Sequence, residues 1–447
     1  MPNPAPHTVP KGAPQPKRQV AMFVANNMVS DRRVIREAAT VAAAGFAVTV
    51  HAIAQRREKL PTTEQHPDGF TIVRHRLGLI PPVLPLHPRL LALLLHPFWC
   101  ALAIAVAVAR KLRIPLAGAA LLAIRWTAWA TLAARAASSA QILHAHDLSG
   151  ALPALATLRT NLGAVLLYDS HEVFLESGRW AKSPAFIRRI LANRFEQPAL
   201  RRAAALIAVN PQVIEELGKR YEIPGRQVVT YNCPPAWDPE PRGTELRAAI
   251  GVGADAQVIL YHGGFSAHRG LEELLVAIRD PRLAAVHLVF LGYGPLEATL
   301  RAAAADPALT GRVHVLKAVA PDVLDRWVSG ADVGMCTVLP STLNHRISTP
   351  NKLFESIGAG VPVVASNFAT MRDILFGDPD GPLGVVCDPT NAQAVATAIH
   401  SILSLSPSDR AALRARCIRA AAARWNWEAQ AARLTELYTS LKAPEGA

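Results

Sequence analysis

The chain has 447 residues, of which 51% are hydrophobic and 18% are charged. This composition supplies enough apolar side chains for sizeable cores and excludes global disorder. At roughly 100–200 residues per domain, the length predicts two or three domains.

The positive charge lies in one half of the chain. Residues 1–235 hold 28 Lys and Arg against 13 Asp and Glu, whereas residues 236–447 hold 19 against 21. The net charge of +13 is thus a surplus of +15 in the first half and a balance of −2 in the second. We expect the halves to meet different partners. Nucleic acid is not favoured, because long aliphatic runs rather than stacking aromatics accompany the basic residues.

Residues 1–19 are expected to be a disordered lead-in. The first sixteen residues contain six prolines and no apolar stretch, so they do not form a secretory signal. The five cysteines are far apart and form no C-x-x-C pair, which favours a reducing cytoplasm.

Residues 20–235 are predicted to form the first α/β domain. A strand at 20–25, a helix from Arg32 to about Ala44 and a strand at 48–53 make a βαβ unit, which implies a parallel sheet. Further strands are predicted at 70–76, 142–145, 165–169, 206–209 and 228–231.

An apolar, basic insert at about 78–140 interrupts this pattern. Residues 69–146 contain eight Arg or Lys and no Asp or Glu, and residues 90–109 are long enough for a transmembrane helix. Crossings would have to come in pairs, however, and the second run, 114–124, is too short to return. We therefore expect two interfacial helices with Arg125, Trp126 and Trp129 at headgroup level. Ordinary buried helices of an alanine-rich domain are the alternative.

Residues 236–243 are interpreted as a linker, and residues 244–424 as a second doubly wound domain. Six apolar strands alternate there with helices, and residues 425–447 hold the last helix. Ligand sites of such domains lie at the carboxyl ends of the strands.

Two segments of the second domain are candidates for binding a phosphorylated ligand. In the first, Gly263 and Gly264 follow a strand and let backbone N–H groups approach an anion, while Arg269 supplies a cation for phosphate. In the second, Thr349 is placed to cap a helix on which Lys352 and Glu355 lie one turn apart. A carboxylate there can accept hydrogen bonds from a ribose diol. A tight turn with a solvated arginine and a helix-stabilising Glu/Lys pair are the structural alternatives.

Taken together, these motifs resemble those of retaining glycosyltransferases with the GT-B fold, group 1 or family 4. The matching stretches are S-D-x-R-V-x-R-E-A at 30–38, H-A-H-D at 144–147, Y-D-S-H-E at 168–172, Y-H-G-G with R-G-L at 261–271, P-N-K-L-F-E at 350–355, G-x-G-V-P-V-V-A-S at 358–366 and G-V-V-C-D-P-T-N at 384–391. The resemblance implies two Rossmann-like domains facing across a cleft, with the helical insert in the first, acceptor-side domain and the nucleotide sugar bound by the second. It also implies that the last helix packs back on the first domain.

The resemblance assigns roles to individual residues. Glu355 corresponds to the glutamate that binds the nucleotide ribose, and Arg269 to the cation on the donor diphosphate. Gly263, Gly264, Asn351 and Lys352 complete the expected donor site. His171 corresponds to the histidine over the donor sugar, and Glu172 and Asp169 are expected beside it as catalytic residues that orient or polarise groups. Structural hydrogen bonding at a strand end is the alternative for Asp169 and His171.

The sequence departs from the family pattern at three places. Ile347 stands where the family has a first glutamate, so the loop 344–350 is a candidate for the donor-sugar contact. Gly264 replaces an often basic residue, and Lys352 is expected to supply that charge. Asn26 and Asn27 replace a Gly-Gly loop, which bears on the acceptor.

These observations predict a cytoplasmic hexosyltransferase, peripheral at the inner face of the plasma membrane. It would move a sugar from a nucleotide sugar to a lipid-linked or other glycan acceptor of polysaccharide or glycolipid biosynthesis. No cofactor and no metal are expected, since His144 and His146 lie beside a single carboxylate, Asp147. A non-catalytic membrane scaffold with this fold and a nucleotide-sugar epimerase are the alternatives.

Overall fold

The computed structural model describes residues 17–55, 57–77, 101, 104–106 and 117–441. Among these, the residues up to Leu167, together with Leu441, form one compact unit, and Tyr168–Ser440 form a second. The domain boundary predicted at residues 236–243 lies inside the second unit, and that division stays a prediction.

The first half of the chain contributes the strands of an eight-stranded sheet. Their bounds are β1 Gln19–Phe23, β2 Ala47–Ala54, β3 Thr63–Gln65, β4 Thr71–Arg76, β5 Ile142–His146, β6 Val165–Ser170, β7 Ala203–Ala208 and β8 Gln227–Val229. The strand order is β3-β4-β2-β1-β5-β6-β7-β8. Val20 of β1 pairs in parallel with Val48 on one side and Ile142 on the other, and only the short β3 is recorded as antiparallel.

The second half forms a six-stranded sheet whose recorded pairs are all parallel. Its order is β11-β10-β9-β12-β13-β14. The strands are β9 Gln257–Gly264, β10 Val286–Tyr293, β11 Val313–Lys317, β12 Val333–Cys336, β13 Val363–Ser366 and β14 Gly384–Cys387. Strands β12 and β13 are buried at every position, as expected where helices cover both faces of a parallel sheet.

Helices connect most of these strands, as the crossovers of a parallel sheet require. In the first unit they are α1 Arg32–Ala43, α2 Ala117–Ala136 and α3 Asp147–Thr157. The second unit contains α4 Gly178–Ala181, α5 Ala185–Leu191, α6 Gln197–Arg202, α7 Pro211–Gly218, α8 Glu245–Ala249, α9 Leu271–Ala277, α10 Glu297–Ala304, α11 Leu324–Ser329, α12 Leu343–Arg346, α13 Asn351–Gly358, α14 Ala369–Phe376, α15 Ala392–Leu403, α16 Pro407–Ala423 and α17 Trp427–Ser440. The prediction of two parallel, Rossmann-like α/β sheets is confirmed.

The insert differs from the sequence-based expectation where it is described. Trp129, expected at headgroup level, is fully buried, and its indole Nε1 donates to the Ser149 carbonyl at 3.0 Å. Ile124, Ala128 and Ala133 are buried with it, so this part of α2 is a packed core helix. Most of the apolar run 90–109 lies outside the described residues. Within the described chain, no helix has both the length and the apolar character needed to cross a membrane.

The last helix, α17, packs on residues that follow β8. The Trp427 amide donates to the Pro234 carbonyl at 2.7 Å, and the Tyr231 amide donates to the Gln430 side chain at 3.3 Å. Tyr231 and Phe354 each pack their rings against Trp425, just ahead of this helix. After the six-stranded sheet, the chain therefore packs back on residues 231–234, which precede the first strand of that sheet.

Candidate active site

The turn after β9 is shaped by glycine backbones. Gly263 has a φ of 119°, a left-handed value that only glycine adopts readily. A side chain on Gly292 in the neighbouring strand would collide with the Gly263 carbonyl oxygen, so the two strands need glycine to approach so closely. Gly264 is different, because its Cβ position has no atom within 4 Å. The turn is therefore tightly packed on one side and open on the other.

The segment after this turn presents Arg269 at the start of α9. Gly270 precedes the helix with a φ of 76°, and a Cβ there would overlap the Thr337 carbonyl oxygen. Arg269 is half-buried, and its positive charge contributes to lowering the pKa values of Lys352 and His345. The guanidinium therefore lies in the electrostatic reach of α13, as a shared phosphate-binding role requires.

Lys352 lies in the first turn of α13 and is directed toward the glycine turn. Its ammonium is 3.3 Å from the centroid of the Tyr261 ring and 3.6 Å from the Cβ position of Gly263. Burial lowers its pKa to about 7, and repulsion from Arg269 adds to this effect. The aromatic ring face offsets part of the cost of desolvating the cation. An anion that binds beside the turn would therefore favour the protonated, charged form of Lys352.

Glu355 lies within the electrostatic reach of Lys352 on the same helix, where its charge partly opposes the lowering of the lysine's pKa by burial. Its Oε2 lies 3.0 Å from Nε2 of His262 at the end of β9, and the carboxylate is buried. Asn351, one turn earlier, is exposed, and its side-chain oxygen accepts a hydrogen bond from Asn232 at 2.9 Å. The helix therefore brings the predicted donor-binding residues to the carboxyl end of β9. Thr349 does not cap it, because Pro350 occupies the N-cap position.

The second predicted set lies at the end of β6. Asp169 is fully buried, and its Oδ2 is 3.4 Å from Nε2 of His171. Burial raises the pKa of Glu172, while a hydrogen bond from Ser177 and the nearby His171 oppose that rise. The structure therefore brings Asp169, His171 and Glu172 together at the end of β6.

Asn344 is a functional candidate that sequence reasoning placed only within a loop. Its side-chain oxygen accepts from the Val173 amide at 3.0 Å, and its Nδ2 donates to the Val173 carbonyl at 3.1 Å and to Glu172 Oε2 at 3.2 Å. Asn210 likewise donates to the Ile347 carbonyl at 2.8 Å. Helix α12 is therefore fixed, through Asn344, to the segment carrying Glu172 and Val173, all within the second unit.

The first unit contributes a buried carboxylate and two buried histidines. Glu37 Oε2 is 3.9 Å from His144 Nε2 and 3.8 Å from His146 Nδ1, and its other oxygen pairs with Arg33 at 2.9 Å. Sequence reasoning counted only Asp147 as the carboxylate near these histidines and missed Glu37, because α1 brings it from another part of the chain. Imidazole and carboxylate are metal-binding groups, but Arg33 already balances the charge of Glu37. The expectation that no metal binds stays a prediction.

Comparison with known proteins adds independent findings. Residues 256–405 match the family model of glycosyl transferases group 1. A D-inositol 3-phosphate glycosyltransferase of Xylanimonas cellulosilytica is 28% identical over 256 residues, which cover 54% of this chain and 58% of the relative. A GDP-mannose-dependent alpha-(1-6)-phosphatidylinositol monomannoside mannosyltransferase of Mycolicibacterium smegmatis is 26% identical over 203 residues, covering 45% of this chain and 52% of the relative. The aligned part thus spans little more than half of these two relatives.

Solved structures resemble almost the entire chain. Sucrose-phosphate synthase from Thermosynechococcus elongatus superposes with a TM-score of 0.67 at 18% identity, covering 95% of this chain and 98% of that chain. Anabaena HepE in complex with UDP-glucose superposes with a TM-score of 0.64 at 14% identity, covering 95% and 100%. At sequence identities this low, the structural similarity shows a shared fold and no more. Residues 256–405 therefore resemble glycosyl transferases group 1, the curated relatives are named glycosyltransferases, and the two-sheet structure has the GT-B fold.

Proposed function

We propose that the protein is a retaining hexosyltransferase that moves a sugar from a nucleotide-sugar donor to a lipid-linked acceptor in polysaccharide or glycolipid biosynthesis. The observation that carries this proposal is the gathering of Arg269, Lys352 and Glu355 around the glycine turn at the end of β9. A nucleoside diphosphate presents the diol and the negative charge that this set is suited to bind.

The donor would occupy the turn through three kinds of contact. Backbone N–H groups near Gly263 and Gly264 approach the diphosphate without side-chain obstruction, and Arg269 and Lys352 neutralise its charge. Glu355 accepts hydrogen bonds from the ribose diol, and its bond to His262 fixes the carboxylate in place. The nearby cations stabilise the charge that develops on the departing diphosphate, so the chemistry proceeds without a metal in this proposal.

The sugar would react at the segment from Asp169 to Glu172. The acceptor hydroxyl attacks the anomeric carbon from the face that the diphosphate leaves, which retains the configuration. His171 lies over the sugar, and Asp169, 3.4 Å away, orients its ring. Glu172, held by Asn344, brings a carboxyl group beside the loop in which Ile347 replaces the family glutamate.

A lipid-linked acceptor and a position at the cytoplasmic face of the plasma membrane follow from the first half of the chain. Ahead of the buried part of α2, residues 78–116 are basic, apolar and free of acidic residues, a composition suited to anionic lipid. The name of the mycolicibacterial relative states a phosphatidylinositol-based acceptor for that protein, which supports the same class here.

Radiolabelled nucleotide sugars, incubated with the purified chain and a membrane lipid extract, test the proposal. We expect label to enter the lipid fraction, with at least a hundredfold loss in Glu355→Ala and no loss in Glu436→Ala, an exposed glutamate on α17. Analysis of the anomeric linkage by NMR reports retention or inversion. If no donor supports transfer, the glycosyltransferase proposal is overturned and the alternative of a non-catalytic membrane scaffold is favoured. If the free nucleotide sugar is converted to another sugar without transfer, a nucleotide-sugar epimerase is favoured.

A further inference from the structure

The helical run from Ala185 to Arg202 begins with an unusually exposed helix. It consists of α5, a π-helical turn at Ala192–Glu196 and α6. None of the seven residues of α5 is buried. Since a surface helix normally buries one apolar face, α5 has an apolar face without a counterpart in the described part of the second unit.

Two large apolar side chains project from this face. Phe186 is 56% exposed and Ile190 is 53% exposed, and their spacing of four residues places them on the same side of the helix. Ile187 and Leu191, on the other side, are only partly exposed. The exposed pair therefore forms a small apolar patch on one face of the helix.

Basic residues surround the patch. Residues 177–202 contain seven Lys or Arg and a single acidic residue, Glu196. Glu196 is 1% exposed and accepts hydrogen bonds from the Tyr168 and Tyr221 hydroxyls, and burial raises its pKa. The segment therefore presents almost no negative charge to its surroundings.

The cations divide into paired and unpaired ones. Arg188 lies 3.2 Å from Glu176, and Arg201 lies 2.9 Å from Glu222. Lys182, Arg189 and Arg194 are exposed, and in the part of the chain that the structure describes no carboxylate lies within 4 Å of them. These three side chains are available to an external anionic partner.

We propose that the face formed by Lys182, Phe186, Arg189, Ile190 and Arg194 docks on an anionic lipid bilayer. Phe and Ile enter the boundary between headgroups and acyl chains, while the cations meet lipid phosphates, as in an interfacial amphipathic helix. A second copy of the chain is disfavoured, because a two-fold contact would bring these cations against their own equivalents. This anchor is distinct from the apolar insert at 78–140.

If the chain transfers sugar to a lipid-linked acceptor, as proposed above, docking of this face would bring the protein to the membrane that holds the acceptor. The chain reaches Lys182 only ten residues after Glu172, and the bridge of Glu176 to Arg188 ties the intervening segment to α5. A bilayer bound at α5 would therefore be linked, through Arg188 and Glu176, to the segment that follows Glu172. Docking itself can be measured without any transfer reaction.

Sedimentation of the full chain with vesicles tests the proposal. Vesicles of phosphatidylcholine alone are compared with vesicles in which part of it is replaced by phosphatidylglycerol. We expect preferential binding to the second kind and about a tenfold or greater loss in the double variant Phe186→Ser, Ile190→Ser. Arg189→Glu should reduce binding by a similar factor, since each basic residue near such a surface contributes about fivefold.

Matched variants control for general effects. Phe376→Ser removes another exposed aromatic side chain, and Lys317→Glu reverses another exposed charge; both should bind vesicles like the unaltered chain. Binding of UDP, measured by thermal shift, should be unchanged in all variants and reports that they fold. Failure of the unaltered chain to bind UDP, GDP, ADP and TDP alike would contradict the proposed function while leaving the docking result interpretable.

Three outcomes would overturn the docking proposal. The first is vesicle binding that the α5 variants leave unchanged, which would assign it to another segment. The second is equal binding to neutral and anionic vesicles. The third is a dimer in light scattering that the double variant converts to a monomer, which would show that α5 binds a second copy.

Discussion

Lys352 makes donor binding dependent on pH. Lys352 is half-buried, its ammonium lies over the Tyr261 ring beside the glycine turn, and its pKa is lowered to about 7. A diphosphate placed next to it favours the charged form and raises that pKa toward the ordinary value of about 10.5. Binding therefore takes up a proton, and affinity falls as the pH rises through 7.

The size of the effect follows from the two pKa values. With a pKa of about 7 in the free protein, half of the lysine is charged at pH 7 and about a tenth at pH 8. The dissociation constant for UDP should thus increase about fivefold between pH 7 and 8 and about tenfold over the next unit. Proton uptake on binding should be about 0.5 at pH 7 and about 0.9 at pH 8.

Isothermal titration in buffers of different ionisation enthalpy measures both quantities. Lys352→Arg keeps a cation that does not titrate, so it should bind UDP at pH 7 without proton uptake. Lys352→Met should lose about 10- to 100-fold in affinity at pH 6.5, the value of a charge-assisted hydrogen bond. Affinity that stays constant from pH 7 to 9, or uptake that persists in Lys352→Met, would refute the reasoning.

Three further predictions concern residues that position the site or the core. Gly270→Ala should destabilise the chain by about 1–3 kcal/mol, because its φ of 76° is left-handed and a Cβ would meet the Thr337 carbonyl; an unchanged melting temperature would contradict this. Asn344→Ala should lower turnover while UDP affinity changes less than about twofold, since Asn344 holds Val173 and not the glycine turn; an equal loss in both, measured by titration and transfer assays, would argue against it. Glu196→Gln should remove a decline in stability above pH 4.5. Burial raises the folded-state pKa of Glu196, so the folded protein holds its proton longer than the unfolded chain, and stability falls by about 1.4 kcal/mol per pH unit until the folded-state pKa is reached. Urea midpoints at pH 5 and pH 8 should therefore differ less in the variant than in the unaltered chain.

Much of the fold could be predicted because local patterns and chain order agree. Alternating apolar strands and helices indicated parallel sheets, and the carboxyl ends of those strands contain the candidate site. The gathering of Arg269, Lys352 and Glu355 was expected from two motifs about eighty residues apart. Which group each side chain contacts depends on neighbours distant in sequence, so the bond of Glu355 to His262 could not be read from spacing.

The roles of three other residues could not be predicted, because the neighbouring sequence did not indicate them or indicated a different role. Asn344 is a short polar residue in the four-residue helix α12, and nothing in the neighbouring sequence distinguishes it from a solvated amide. Threonine is a common helix N-cap residue, which suggested that Thr349 caps the helix. The helix begins at Asn351 instead, and the Thr349 hydroxyl lies 3.5 Å from the side chain of Asn210. Trp129 followed an apolar run and suggested a membrane surface, whereas tertiary packing buries it.

The open side of the glycine turn leaves room for a cation that this chain does not have. Gly264 needs no left-handed backbone, and no atom lies within 4 Å of its Cβ position, whereas Gly263 beside it is constrained by its φ of 119°. An arginine or lysine at position 264 would therefore enter without displacing the strands. Donor affinity can be raised at this one position while Lys352 keeps its titratable role, which offers a route to a variant whose donor binding depends less on pH.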